Sequence, residues 1–188
     1  MYIEQNSGTE VDDDIEILVN LLKSQVLPEI EKTSEEADCD VSKLPNRAVI
    51  VFCENKTKLN RICEELAHAN IMSLPFNDNT KQISLKMRYR TLNLLHEGKI
   101  PVLVSDNLGS RGLDTMNVSH VIQFEYAKSA QEYLQRVGRT GRMGQPGKVI
   151  NFIRERDIEL HKKITEKIQA NKPLTSAFKN LRRRRTTI

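Results

Sequence analysis

Apolar positions follow two rhythms along this 188-residue chain, and the switching between them predicts alternating helices and strands. Ile15, Leu18, Val19 and Leu22 recur at i, i+3, i+4 and i+7, the spacing of one helix face, which predicts a helix over about 12–31. Residues 33–45 are polar and acidic without a period and read as a loop. Ala48-Val49-Ile50-Val51-Phe52 is an unbroken apolar run, as expected of a strand buried on both faces of a parallel sheet. Leu59, Ile62, Cys63, Leu66 and Ala67 then form a second helical stripe. The pattern repeats as a strand at 71–74, a helix at 81–96, strands at 102–104 and 118–124, and a helix carrying Tyr133. A strand at 147–153 is expected to close the sheet, followed by a charged helix at 155–170.

Repeated strand–helix units predict an α/β fold, an open parallel sheet with helices on both faces. Ligands of such sheets bind at the carboxyl ends of the strands, where the singled-out residues are expected to lie. The chain divides into an acidic leader at 1–44, with the helix and a linker, and an α/β domain at 45–170. A basic tail follows at 171–188 and ends in Arg182-Arg183-Arg184-Arg185, which suits nucleic acid, a localisation signal or a solvated end equally.

Charge sharpens this division. Residues 1–44 hold 12 acidic against 3 basic residues, and the rest hold 13 against 26. A compact domain with that excess is a candidate for a polyanion partner. No run of eighteen apolar residues is present, so no membrane span or membrane partner is expected, and residues 1–14 lack the apolar core of a secretory signal. The three cysteines are odd in number and lack metal-ligand spacing, so no metal site is expected. They read as core thiols of a reducing, intracellular compartment, with nucleus, cytoplasm and mitochondrion all open.

Of four informative segments, the strand at 48–52 with the polar residues after it and the helix with Lys86, Arg88 and Arg90, alone a solvated basic face, are weak, and two carry chemistry. Gln135-Arg136-Val137-Gly138-Arg139-Thr140-Gly141-Arg142 places three arginines among two glycines, a density suited to gripping phosphate. Val102 to Asp114 reads as a strand entering a small-residue loop, with Gly109 and Gly112 permitting close backbone approach and Asp114 suited to a ribose hydroxyl.

The order of Ile50-Val51-Phe52-Cys53, a basic helix, Ser110-Arg111-Gly112-Leu113-Asp114 and Tyr133 to Arg142 resembles the C-terminal RecA-like domain of DEAD-box RNA helicases over about 45–155. Phe124-Glu125-Tyr126 and Gly144 to Lys148 fit the same pattern. The resemblance implies a RecA-like sheet and an ATP-dependent, RNA-stimulated hydrolase split between two lobes. Arg139 and Arg142 match the family's arginine fingers, and with Gly112 and Asp114 they form the implied ATP contacts. Arg111 and Arg136 match residues that tie the lobes together, with Gln135 linking the ATP and RNA sites. Asn55, Arg88, Asp106 and Gly109 fall at RNA-contacting positions. The implied partners are RNA, ATP with Mg2+, the N-terminal RecA-like lobe and an activating protein.

Three positions depart from the family. Gln135 stands in place of His, Asp106-Asn107 in place of Thr-Asp, and Leu85 in place of a Gln three residues before Arg88. An aspartate beside RNA phosphate repels it, so Asp106 is expected to turn away or weaken the grip. These residues contain neither a GxxxxGK[ST] phosphate loop nor an Asp-Glu-Ala-Asp magnesium site. The chain is therefore expected to be one lobe of a longer protein, inactive alone. The competing readings are a non-catalytic RNA- or protein-binding module built on a helicase lobe, and a DNA-translocating relative.

Overall fold

The computed structural model describes residues 2–4, 11–35, 48–77, 85–106, 118–142 and 144–178. Strands β1 (Tyr2–Glu4), β2 (Ala48–Phe52), β3 (Ser73–Phe76), β4 (Val102–Ser105), β5 (Val118–Gln123) and β6 (Lys148–Ile153) form one sheet. Their order is β1-β6-β5-β2-β4-β3, and every pairing is parallel. The expected open α/β sheet is found. It does not end at 147–153, however, because β1 adds a further strand beyond β6. Three residues are too short to show a period, so the edge strand left no pattern in the sequence.

The side chains of β2 alternate between two cores. Val49 and Val51 pack with Leu59, Ile62 and Leu66 of α3 (Lys56–His68). Ala48, Ile50 and Phe52 face the opposite side, with Leu95 of α4 (Leu85–His96). Burial on both faces is what the continuous apolar run required.

The helix expected at 12–31 runs as α1 (Val11–Leu21), a π turn (Leu22–Val26) and α2 (Leu27–Glu35). Pro28 has no N–H for the Ser24 carbonyl and its ring crowds that carbonyl, so the ladder widens just before it. The wider turn also keeps Leu18, Leu22, Val26 and Ile30, four residues apart, on one buried face. That face lies in the same core as Val49, Phe124 and Phe152. Asp14, 4% exposed, accepts from Nε and Nη2 of Arg154 at 3.0 and 2.6 Å. The boundary drawn at 44 from charge therefore does not coincide with a break in packing.

Strand β3 starts two residues later than the expected 71–74. Asn70 ends α3 with φ +59°, and the Ile71 N–H bonds the Leu66 carbonyl at 2.8 Å, so Ile71 closes the helix cap instead of opening the strand. Helices α5 (Ala130–Val137) and α6 (Glu155–Gln169) share a third core through Tyr133, Leu160 and Ile164. Leu174, Ala177 and Phe178 join that core, so the tail read from 171 begins as packed chain. Arg182 to Arg185 lie outside the described residues.

Candidate nucleotide- and RNA-binding surfaces

The arginine stretch begins on a capped helix. The Ser129 hydroxyl accepts from the Glu132 N–H at 3.1 Å, and the Glu132 carboxylate accepts from the Lys128 N–H at 3.1 Å. Helix α5 ends at Gly138, where a Cβ would stand 2.9 Å from the Leu134 carbonyl oxygen. The chain then tightens: Arg139 and Thr140 donate to the Arg136 and Val137 carbonyls three residues back.

Thr140 fixes this turn. It is buried, and its hydroxyl donates to the Val118 carbonyl at 2.6 Å, with the Ser119 carbonyl at 3.1 Å. Gly147, just before β6, backs onto it; a Cβ there would lie 2.3 Å from Thr140 Oγ1 and 2.4 Å from the Gly141 nitrogen. Gly141 itself takes φ +67°. Val118 opens β5 and Lys148 opens β6, so the arginine turn sits at the amino ends of these strands. This corrects the expectation that all singled-out residues gather at the carboxyl ends. The reason is direction: α5 runs back against parallel strands, and the arginines follow its last turn.

Arg139 and Arg142 are half-buried and share one arrangement. Arg139 Nε donates to the Gln135 carbonyl at 2.9 Å, and Arg142 Nε donates to the Gly138 carbonyl at 2.7 Å. Each takes up, through Nε, a helix-end carbonyl that lacks an intrahelical donor. Two guanidinium groups on one pinned turn have the donor chemistry a terminal phosphate needs. The half-buried Gln135 contributes its carbonyl to this arrangement.

Arg136 differs from both. It is 1% exposed, and its Nη1 donates to the Glu125 carbonyl at 2.5 Å and the Gln123 amide oxygen at 3.3 Å. Nη2 pairs with Glu132 at 2.6 Å, and the guanidinium stacks 5.3 Å from the Phe52 ring centre. Burial pulls its pKa down, and the Glu132 carboxylate opposes that pull. Gln123 passes the network on to Asn151 at 2.8 Å.

Glu125, Glu132 and Thr140 were given no site role from the sequence, although Glu125 lies in a segment that fits the family pattern. The one legible signal was an acid, Glu125, at the end of an apolar strand. Its carboxylate accepts from the Glu54 N–H at 2.5 Å and from the Lys58 ammonium.

The carboxyl ends of the strands carry the candidate RNA residues that are described. Asn55 caps α3, its Oδ1 accepting from the Lys58 N–H at 3.0 Å. Asp106 follows β4 and is 8% exposed. With Glu125 it stands close enough to Cys53 to add to the effect of burial, which pushes that thiol up to about 12. Arg88 lies on α4, its side chain outside the described residues, as are Gly109, Arg111, Gly112 and Asp114.

These features define a RecA-like helicase lobe. Residues 29–144 match the family described as helicase conserved C-terminal domain. The chain belongs to that family and is a C-terminal lobe of the DEAD-box type. It is 36% identical over 118 residues to the pre-mRNA-splicing ATP-dependent RNA helicase PRP28 of Debaryomyces hansenii, covering 61% of this chain and 20% of that protein. It is 31% identical over 127 residues to the ATP-dependent RNA helicase FAL1 of Candida glabrata, covering 67% and 31%. The chain thus spans less than a third of these relatives. Among solved structures, Escherichia coli DEAD-box protein SrmB bound to regulator of ribonuclease activity A superposes with a TM-score of 0.64 at 26% identity, covering 83% of this chain and 77% of that one. The C-terminal domain of the DEAD-box protein Dbp5 shares the fold with a TM-score of 0.69 at 19% identity, covering 91% and 84%.

Proposed function

We propose that this lobe completes the ATP site of a two-lobed RNA helicase and supplies part of its RNA-backbone grip. The observation that carries the reading is the pair Arg139 and Arg142, each tied by Nε to a helix-end carbonyl on a turn pinned by Thr140. A side chain held this way needs little reorganisation to meet developing phosphate charge. Arg139 and Arg142 would hold the terminal phosphate of ATP-Mg2+ against an N-terminal lobe bearing the phosphate loop and metal ligands. ATP supplies the phosphoryl group whose hydrolysis reopens the lobes. Arginines acting in this role are worth roughly 10³–10⁵ in rate in other nucleotide hydrolases.

RNA is the second ligand of this reading. Its support is the ATP-dependent RNA helicase activity named for the relatives and the basic excess beyond residue 44. Contact through phosphates makes the grip indifferent to sequence. An activating protein is a further partner of the proposal, in an intracellular compartment. The test is Arg139→Ala in the full-length protein: RNA-stimulated ATP hydrolysis is abolished while ATP binding persists. Equal loss of both overturns the finger role.

The buried carboxylate of Asp106 at the candidate RNA edge favours a second reading, a non-catalytic docking module. A full-length protein that binds RNA without hydrolysing ATP would establish it.

A further inference from the structure

The helical segment that precedes β2 is fastened to β6 at both ends. Near its start, the buried Asp14 carboxylate holds Arg154, the residue after β6. Near its end, Glu29 of α2 pairs with Lys148, the first residue of β6. The helical rise from 14 to 29 is about 22 Å, and the strand between the two cations runs about 20 Å. One rigid element therefore matches the strand in length. The buried pair at one end fixes where the carboxylate of Glu29 stands at the other.

Glu29 has a second contact. Its carboxylate lies 3.6 Å from Nε2 of the buried His120 ring, whose Nδ1 is 2.9 Å from the Ser119 hydroxyl. Ser119 is the extra residue of a β-bulge: Ala48 pairs with Val118 and Val49 with His120, which leaves Ser119 unmatched between them. Its hydroxyl ties back to the Ala48 carbonyl at 3.1 Å. Thr140 is held at this same bulge, through the Val118 and Ser119 carbonyls. On the other side, Lys148 adjoins Gly147, which backs onto Thr140 and Gly141. Both residues that Glu29 meets thus lie one step from the backbone that pins the arginine turn.

We infer that Glu29 is a positioning residue: by holding Lys148 and His120 it fixes the bulge and the start of β6, and with them the turn that carries Arg139 and Arg142. Glu29 and Lys148 are both about half exposed, and ion pairs at such sites add little to stability. The consequence of the contact is therefore geometric. A reacting group displaced by about 1 Å loses up to about 10²-fold in rate, so a small shift of the turn is enough to be read in catalysis. That the turn serves ATP rests on the two-lobed helicase reading; the brace between α2 and the turn does not.

The test reads the turn directly, by NMR of the 188-residue chain. The Nε–Hε signals of Arg139 and Arg142 report their bonds to the Gln135 and Gly138 carbonyls, and that of Arg154 reports its bond to Asp14. Glu29→Gln should shift the Arg139 and Arg142 signals and leave that of Arg154 in place. Lys148→Gln should reproduce the shift, and Glu29→Asp, which keeps the charge, should reverse most of it. In the full-length protein, Glu29→Gln should lower kcat for ATP hydrolysis about tenfold with the KM for RNA unchanged. The urea midpoint should stay the same, so a smaller folded fraction does not account for the loss. Unmoved Arg139 and Arg142 signals overturn the inference, and so does an equal shift at Arg154, which would mean general loosening. Shifted signals with an unchanged kcat overturn it too and leave the helicase-lobe reading intact. Shifted signals in a full-length protein without RNA-stimulated hydrolysis do the reverse: the brace stands and the helicase-lobe reading falls.

Discussion

Arg136 Nη1 lies 2.5 Å from the carbonyl oxygen of Glu125, joining the helix that ends in the arginine turn to the opposite end of the sheet. The link has a simple geometric origin. Side chains on a helix lean toward its N-terminus, and α5 runs against the strands, so Arg136 leans away from the turn and toward the carboxyl ends. There the Glu125 carboxylate holds the Glu54 N–H and Lys58, and the Lys58 N–H caps onto Asn55. One buried guanidinium thus connects the two candidate surfaces within a single lobe.

Removing it should be costly. Arg136→Ala takes the guanidinium away from the Glu132 carboxylate and the Glu125 carbonyl and opens a gap beside Phe52. Breaking a buried pair from one side costs about 3–5 kcal/mol, read as a lower urea midpoint of the isolated chain. Arg139→Ala, on a half-buried side chain, should change that midpoint by less than about 1 kcal/mol.

The arginine turn depends on Thr140 and Gly147. Thr140→Val removes the hydroxyl that donates to Val118 and should cost about 1–3 kcal/mol. Gly147→Ala brings a methyl group against Thr140 and the Gly141 backbone, so the turn must shift. If the turn serves the proposed ATP site, Gly147→Ala in a full-length protein should lower kcat for ATP hydrolysis while the KM for RNA stays near its original value. Parallel loss of both would argue that the turn serves the fold alone.

Asn55 separates a capping role from an RNA role. Asn55→Ala should destabilise the chain by about 1 kcal/mol through loss of the α3 cap. Asn55→Asp keeps an oxygen for the Lys58 N–H, so stability should hold. The added charge should nevertheless weaken RNA binding if RNA phosphate passes there. Unchanged RNA affinity for Asn55→Asp would remove this residue from the interface.

His120 gives the lobe a pH dependence. Its ring is 3% exposed in β5, and its pKa is lowered by burial, with the Lys148 ammonium acting the same way and Glu29 opposing. The unfolded chain therefore takes up this proton at a higher pH than the folded chain. Stability should be complete above the unfolded value near 6.5 and fall as pH drops below it. Glu29, held down by Lys148, loses its own contribution only at more acid pH, below the ordinary value of 4.5. His120→Gln should flatten the urea midpoint between about pH 7.5 and 5.5. A slope unchanged by that substitution would assign the effect elsewhere.

Much of the fold was legible because it is written locally. The apolar run Ala48 to Phe52 could only be a strand covered on both faces, and the stripe Ile15, Leu18, Leu22 could only be a helix against a core. The glycines set among Arg136, Arg139 and Arg142 likewise marked a helix end and the turn after it. Periodicity and composition report which face of an element is apolar, and each such statement needs only neighbouring residues.

The tertiary structure decided what depends on residues far apart in the chain. It turned Arg136 inward onto Phe52 and Glu125, made 11–35 part of the main core through Asp14 and Arg154, and set the arginine turn at the amino end of β5. No local pattern encodes these outcomes. A buried guanidinium finds its partners only when separate elements pack, and the end of the sheet at which a helix stops depends on which strands it lies against.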